Sequence, residues 1–240
     1  DGEPLLDKKL EKRIQALKHV GIRFVTFNSN ASLMKKERAR SVLLSGVDEV
    51  SFSIDGATQE TFEKIRRRLK FKECVQNIEN FVAVRDELKL STSVRVRMTI
   101  QESNAHEFDD FIRFWEERLG PQDRAYGKLL HNWANWIQDY ALPGDPYQRE
   151  ALNASACTSP WSSFIIFSDG RVPLCCSDYN AKAEMGNVLH KSMQDIWKDQ
   201  PFNKIREAHL GCGRKSMDLC KDCNVWDPLA KIDPKSRVEV

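Results

Sequence analysis

Six of the seven cysteines in this 240-residue chain crowd into its last third, at positions 157, 175, 176, 212, 220 and 223. No signal-peptide pattern opens the chain, and no apolar run approaches the roughly 18 residues of a membrane span. The expected setting is therefore the reducing cytoplasm, where thiols at this density hold metal more readily than they form disulfides. Their spacing is specific. Cys157 is followed by twelve residues, Gly170, four residues and Cys175, and later comes Cys220-Lys221-Asp222-Cys223. A C-x2-C pair presents two sulfurs from one tight turn, and thiolate is a ligand of iron–sulfur clusters and of structural zinc alike. On ligand chemistry alone three readings stand: a cluster, a four-cysteine zinc, or buried free cysteines used for packing.

The front of the chain has a different character. Leu6, Leu10, Ile14 and Leu17 recur at helical spacing, with Gly21 where a C-terminal cap belongs, so a helix is expected over Leu6 to Val20. β-rich runs follow at Ile22 to Phe27 and Glu49 to Ile54, an alternating run at Ser93 to Ile100, and a further candidate at Tyr126 to Leu130. Helical patterns separate them: a Lys/Arg-rich stretch to about Leu44, then Gln59 to Arg67, Glu73 to Leu88 and His106 to Leu119. Strands alternating with helices predict an α/β fold of parallel βα units, a partial parallel (β/α) barrel, with ligands beyond the carboxyl ends of the strands. The opening Asp1-Gly2-Glu3-Pro4 leads straight into a helix, so a first strand is expected to be missing.

Past about Ala134 the pattern breaks into Pro, Gly, Asp and Asn, which marks a linker. The expected domains are residues 1–134 for the partial barrel, 135–156 for the linker, and 157–240 for a small irregular cysteine-rich iron–sulfur domain. Within the last, Trp161 to Phe167, the turn Ser168-Asp169-Gly170 and Arg171 to Leu174 predict a hairpin with Cys157 and Cys175 at its flanks. Lys and Arg number 37 against 35 Asp and Glu, a net charge of +2 that offers no field to recruit nucleic acid or an anionic membrane. Arg66-Arg67-Arg68 with Lys70 and Lys72 read as a solvated face, His131, Trp133 and Trp136 as neighbours of the last barrel strand, and His190 and His209 as capping or packing residues.

These motifs together resemble a known family. The C-x12-G-x4-C spacing followed by C-x2-C, with Met185-Gly186-Asn187-Val188 and Ile196-Trp197 between, resembles the SPASM or twitch domain appended to radical S-adenosylmethionine (SAM) enzymes. Gly2-Glu3-Pro4 is similar to that family's GGEP motif, Ser29-Asn30-Ala31 falls where it has TNG, Ser53-Ile54-Asp55-Gly56 matches SxDG, and Phe62 to Arg66 is similar to YxxIR. The resemblance implies that Cys157, Cys175, Cys220 and Cys223 hold an auxiliary [4Fe-4S] cluster. It also implies that SAM binds near Gly2, Glu3 and Pro4. A zwitterionic ligand needs an acceptor for its ammonium group, as Glu3 supplies, and donors for its carboxylate, as Ser53 or Arg97 supply. Asn30, Asp55 or Asn104 suit the ribose hydroxyls, although strand-end Ser, Asn and Asp are also ordinary turn formers.

The function so implied is generation, in the full-length protein, of a 5′-deoxyadenosyl radical that abstracts hydrogen from a peptide or a sugar-like small molecule. A second, SAM-binding [4Fe-4S] cluster on the missing cysteine loop and a reductant such as flavodoxin or ferredoxin belong to the same expectation. The rival is a degenerate, non-catalytic member whose four cysteines form a metal-binding module. No C-x3-C-x2-C triad is present, and Cys74 is the one cysteine of the barrel portion. Incubated with SAM and dithionite, the reconstituted 240-residue chain is expected to give no 5′-deoxyadenosine above a protein-free control; turnover by this chain would place the catalytic cluster elsewhere.

Overall fold

A computed structural model describes residues 2–134, 146–225 and 238–239. The chain divides into two compact units, Asp1–Leu130 with Ile232–Val240, and His131–Lys231.

The first unit alternates helix and strand. A 3-10 turn, Pro4–Leu6, precedes α1 (Leu10–His19), β1 (Thr26–Ser29) and α2 (Lys36–Leu44). Then come β2 (Glu49–Ser53), α3 (Gln59–Ile65), α4 (Phe71–Glu87), β3 (Ser93–Ile100), α5 (Phe108–Glu116) and β4 (Arg124–Leu129). The four strands lie side by side in sequence order, and a two-residue strand, Val238–Glu239, extends the sheet beyond β4. Every pairing is parallel. Each strand thus runs in the same direction and a helix returns the chain, the geometry of a partial (β/α) barrel. β2 is buried along nearly its whole length, as a strand covered on both faces must be, while β3 alternates, with Val94, Val96 and Met98 inside. Phe52 of β2 meets Phe81 of α4 edge-on at 5.6 Å between ring centres, and Phe111 and Trp115 of α5 close the core from the other end of the sequence.

Two elements start four residues later than the pattern in the sequence places them. Helix α1 starts at Leu10, because Pro4 opens a separate 3-10 turn whose first free amide, that of Leu5, donates to the Glu3 carboxylate, leaving Leu6 70% exposed. Strand β1 starts at Thr26, its parallel partner being Glu49; the amide of Val25 donates instead to the Asp48 carboxylate at 2.7 Å, so the ladder stops there and Phe24 stands 58% exposed.

The second unit holds α6 (Pro146–Ala154), α7 (Ser159–Ser162), β5 (Arg171–Pro173), β6 (Glu184–Asn187), α8 (Met193–Lys198) and α9 (Gln200–Cys212). Val172, Leu174, Met185, Ile196, Phe202 and Leu219 form its small core, with Phe164 and Trp197 packed against them. The expected hairpin forms only in part. Its turn is there, since the Gly170 amide donates to Phe167 O and the Phe167 amide to Arg171 O, both at 2.9 Å. The first arm is not a strand; β5 pairs antiparallel with β6 instead. Gly170 explains the exchange. It sits at φ +87°, and a Cβ there would come within 2.7 Å of Asn187 Oδ1 and 2.8 Å of Leu189 Cγ, so the turn is pressed against the end of β6.

Residues expected as linker also carry structure. The segment 146–154 is helix α6, and its Asn153 exchanges two hydrogen bonds with Asp222: Nδ2 donates to Asp222 Oδ1 at 2.6 Å and the Asp222 amide donates to Asn153 Oδ1 at 2.7 Å. Those contacts bind α6 into the second unit, a long-range pairing that loop composition does not announce. The remainder of the proposed linker, residues 135–145, lies outside the described residues, as does Trp136.

The most buried ion pair of the first unit joins Arg85 of α4 to Asp123, both side chains fully inaccessible. Asp123 also accepts from the amides of Val94 and Gly120. Replacing it by Ala leaves the buried guanidinium with only the exposed Asp86 and Thr92 O and strips two amides of their acceptor, and is expected to cost about 2–4 kcal/mol. Urea unfolding followed by circular dichroism reads this directly; a loss under about 1 kcal/mol would show that water replaces the carboxylate.

Candidate functional site

Parallel strands bring all their carboxyl ends to one edge of the first unit, and most residues singled out in the sequence fall there. At the end of β1, Ser29 Oγ donates to Glu3 Oε1 at 2.8 Å and the Asn30 amide donates to Glu3 Oε2 at 2.8 Å. With the Leu5 bond, the Glu3 carboxylate accepts three hydrogen bonds from its surroundings and is held against the strand end. A carboxylate has about four acceptor sites, so the capacity to meet a cation remains. Gly2 precedes it at φ +126°, a conformation glycine adopts without strain, and Pro4 follows as the first residue of the 3-10 turn.

One strand over, Ser53 and Arg97 are register partners across β2 and β3, and Arg97 Nη2 donates to Ser53 Oγ at 3.2 Å. The Nε of Arg97 is buried and has no hydrogen-bond partner. A buried guanidinium nitrogen without an acceptor is costly unless a ligand supplies one, and an anionic group fits that need.

Asp55 and Asn104 are engaged differently. Asp55 Oδ2 accepts from Arg66 Nε at 2.6 Å and Oδ1 accepts from the Thr99 amide at 2.8 Å. Asn104 Nδ2 donates to Thr99 O and Asp55 O, and its Oδ1 accepts from the Gln101 amide. Together they lace the end of β2 to the end of β3 by backbone contacts. Asn30 Oδ1 accepts from the Ser32 amide and hydroxyl, an Asx-type turn that shapes the loop after β1.

Sequence reasoning passed over several members of this edge. Ser29 orients Glu3. Arg66, which ends the YxxIR-like segment and opens a basic run read as solvated face, reaches Asp55, a contact that neither reading announces. Glu107 carries no motif at all. It is nearly buried, and its carboxylate accepts from the amides of Ala57 and Thr58 and from the hydroxyls of Thr58 and Thr61, fixing the turn that leads from β2 into α3.

In the second unit Cys157, Cys175, Cys220 and Cys223 line a single cavity, with Ala134, Pro160, Leu174 and Leu219 as its apolar walls. Burial pushes the Cys175 thiol up to about 12, partly offset by the amides of Ser177 and Asp178. Burial does the same for Cys220, also to about 12, reinforced by the neighbouring cysteines. Burial raises Cys223 as well, against the opposing pull of the Val225 and Ala134 amides. Such thiols ionise only when a metal supplies compensating positive charge. Four sulfurs around one largely apolar cavity, with amides aimed at two of them, fit an iron–sulfur cluster. Among the described residues no three His, Cys, Asp or Glu groups close on a single metal ion. The Cys220–Cys223 turn is gripped from two sides: by Asn153, and by Asn132, whose Nδ2 donates to Asp222 O at 2.7 Å and whose amide donates to Asn224 Oδ1. Cys176 and Cys212 are exposed and line no part of this cavity among the residues that form it, and Cys74 is buried in the core of the first unit. His131 and Trp133 lie ring to ring at 4.6 Å in the second unit.

A parallel α/β unit with a ligand-ready strand edge, followed by a unit built around four convergent thiols, defines a protein of the (β/α) class with a thiol-lined metal site. Profiles of known families make this specific: the radical SAM superfamily matches residues 1–114, and the SPASM iron–sulfur cluster-binding domain matches residues 157–224. The chain belongs to the radical SAM superfamily and carries a SPASM domain, which imply SAM and [4Fe-4S] clusters as cofactors. It is 33% identical over 69 residues to the S-adenosyl-L-methionine-dependent 2-deoxy-scyllo-inosamine dehydrogenase of Niallia circulans, covering 29% of this chain and 28% of that protein. It is 24% identical over 239 residues to the mycofactocin maturase MftC of Mycobacterium ulcerans, covering 87% and 61%. The crystal structure of Streptococcus suis SuiB bound to its precursor peptide SuiA shares the fold, with a TM-score of 0.66 at 15% identity over 92% of this chain and 58% of that one. The chain thus spans less than two thirds of each of these three proteins. Among the described residues no helix is long and apolar enough to cross a membrane.

Burial raises the pKa of Glu107, but its four hydrogen bonds outweigh burial and hold it below the usual 4.5. A depressed carboxyl contributes stability that is present above pH 4.5 and lost as pH falls through the folded-state value. Glu107→Gln is expected to destabilise the protein by about 1–3 kcal/mol at neutral pH. The gap between wild type and variant should narrow as the pH is lowered below 4.5; a gap that stays constant in urea titrations at both pH values would remove Glu107 from the acid response.

Proposed function

We propose that this chain is the larger part of the catalytic barrel, together with the auxiliary-cluster domain, of a radical SAM enzyme that modifies a peptide. When bound and reduced, the cofactors supply a 5′-deoxyadenosyl radical for hydrogen abstraction from that substrate. The observation that carries the reading is the Ser53–Arg97 pair, whose unpartnered Arg97 Nε lies on the same strand edge as Glu3. In this reading Glu3 accepts the ammonium group of SAM, and Arg97 with Ser53 donates to its carboxylate. Asp55, Asn104 and Asn30 hold the strand ends and the loop after β1 in place for the ribose. Gly2 and Pro4 set the turn that carries Glu3. Cys157, Cys175, Cys220 and Cys223 ligate the auxiliary [4Fe-4S] cluster, which passes an electron or positions substrate, and a flavodoxin or ferredoxin is the reductant.

A peptide substrate is supported by SuiB, solved with a precursor peptide, whose fold is shared over 92% of this chain, whereas the match to the inosamine dehydrogenase covers only 69 residues. A sugar-like alcohol is the second reading on the strength of that shorter match. The rival function is a metal-binding module without SAM chemistry.

The test uses the full-length protein containing this chain, reconstituted with iron and sulfide. Arg97→Leu is expected to lower 5′-deoxyadenosine formation about 10- to 100-fold at limiting SAM, through the loss of a charge-assisted contact worth about 1.5–3 kcal/mol. Cys175→Ala and Cys223→Ala should lose most of one cluster's iron and sulfide, whereas Cys176→Ala and Cys212→Ala retain it. Wild-type protein that holds zinc in the four-cysteine site and forms no 5′-deoxyadenosine would establish the binding-module reading instead.

A further inference from the structure

Three residues in the walls of the four-cysteine cavity each carry a buried polar atom that makes no hydrogen bond. Ser159 Oγ, Ser177 Oγ and His209 Nε2 are all buried without a partner, and their residues are 1%, 0% and 2% exposed. All three residues line the cavity with Cys157, Cys175, Cys220 and Cys223. Orphaned polar groups are rare in folded interiors, and three around one cavity point to a missing acceptor.

His209 defines what that acceptor is. It stands in the last turn of α9, and its Nδ1 accepts the backbone N–H of Cys157 at 3.0 Å. A nitrogen that accepts carries no proton, so the ring proton is on Nε2. That nitrogen has no lone pair to offer iron, which excludes His209 as a ligand while the Cys157 contact is made. It is a buried donor without a partner, on a residue that lines the same cavity as the four thiols. The two serine hydroxyls are likewise able to donate, and the acceptors a cluster brings are its sulfides and cysteine thiolates.

We propose that His209, Ser159 and Ser177 are positioning residues for the auxiliary cluster, donating N–H···S and O–H···S hydrogen bonds that raise its reduction potential. The inference rests on the reading that the four cysteines hold a [4Fe-4S] cluster. Reduction adds negative charge to the cluster, and a donor to sulfur stabilises the reduced form more than the oxidised one, which is the lever that hydrogen bonds exert on cluster potentials. His209 does this with an unusual constraint: the same ring fixes the backbone of Cys157, so its orientation is set by the ligand loop it serves.

The experiment uses the full-length, cluster-loaded protein in a redox titration monitored by electron paramagnetic resonance. His209→Leu is expected to make the auxiliary cluster harder to reduce, shifting the oxidised-to-reduced ratio about tenfold, which is about 59 mV for a one-electron couple. Ser159→Ala and Ser177→Ala should shift it in the same direction. His209→Gln, which keeps a donor near the Nε2 position, should recover part of the shift. Unchanged potentials in variants with full iron and sulfide content would overturn the proposal. Because His209→Leu also removes the Cys157 contact and can lose the cluster, wild-type protein labelled with 15N-histidine gives an independent answer. Pulsed resonance should show a weak nitrogen coupling, absent in His209→Gln. A strong coupling, as from imidazole bound to iron, or no coupling at all would sink the assignment. Absence of any cluster from the wild-type site would instead strike the functional reading, and iron analysis shows that before any potential is measured.

Discussion

Four thiols in an apolar cavity are unstable as thiolates and of little use as thiols, and the second unit is organised around that tension. Its hydrophobic core is small, a few residues from β5, β6, α8 and α9 with one leucine beside the C-x2-C turn. Much of the remaining polar structure serves the cysteine loops: Asn153 and Asn132 clamp the Cys220–Cys223 turn, and His209 holds Cys157. Buried Arg214 donates to Cys223 O at 2.6 Å. With Cys175 and Cys220 pushed up to about 12, the cavity resists thiolate charge, and in the proposed reading the iron of a cluster would offset it. In that reading binding and folding would be linked, because the cysteine loops are drawn together only in the folded chain while the metal's charge would make their burial favourable.

The first unit solves a different problem, that of keeping an open polar edge rigid. The parallel sheet sends every strand end to the same side, but strand ends fray without partners. Asp55 prevents this by bonding the Thr99 amide of the next strand and the Arg66 side chain from the helix side, and Asn104 repeats the stitch on Asp55 O and Thr99 O. Glu107 clamps the following turn. These residues are committed to structure, and that commitment leaves Glu3, Ser53 and Arg97 as the groups with hydrogen-bonding capacity to spend on a ligand.

This division was only half visible beforehand. Glu3, Ser53, Asp55 and the cysteines sit in short contiguous motifs, so the sequence reveals them. Asp55 and Asn104 look no different from ligand-binding residues there, since a turn former and a ribose partner have the same side chain. Glu107, Asn132, Asn153 and His209 act across 46 to 90 positions of sequence, and nothing local distinguishes a buried clamp from a surface polar residue. The hairpin misreading has the same origin: the Asp169-Gly170 turn is correct, but which segment pairs with β5 was decided by β6, whose paired residues lie 11 to 16 positions further along the chain.

What the sequence determined by itself was the alternation of strand and helix, the four thiols at cluster spacing and the order of the SAM-like motifs, because each depends on residues close in the chain, where periodicity and spacing act directly. What only the tertiary structure decided was which polar groups are already satisfied. A hydrogen bond consumes capacity at both of its ends, and until the chain is folded there is no knowing that Asp55 is bound to Thr99 and Arg66 while Arg97 Nε and His209 Nε2 are left without partners.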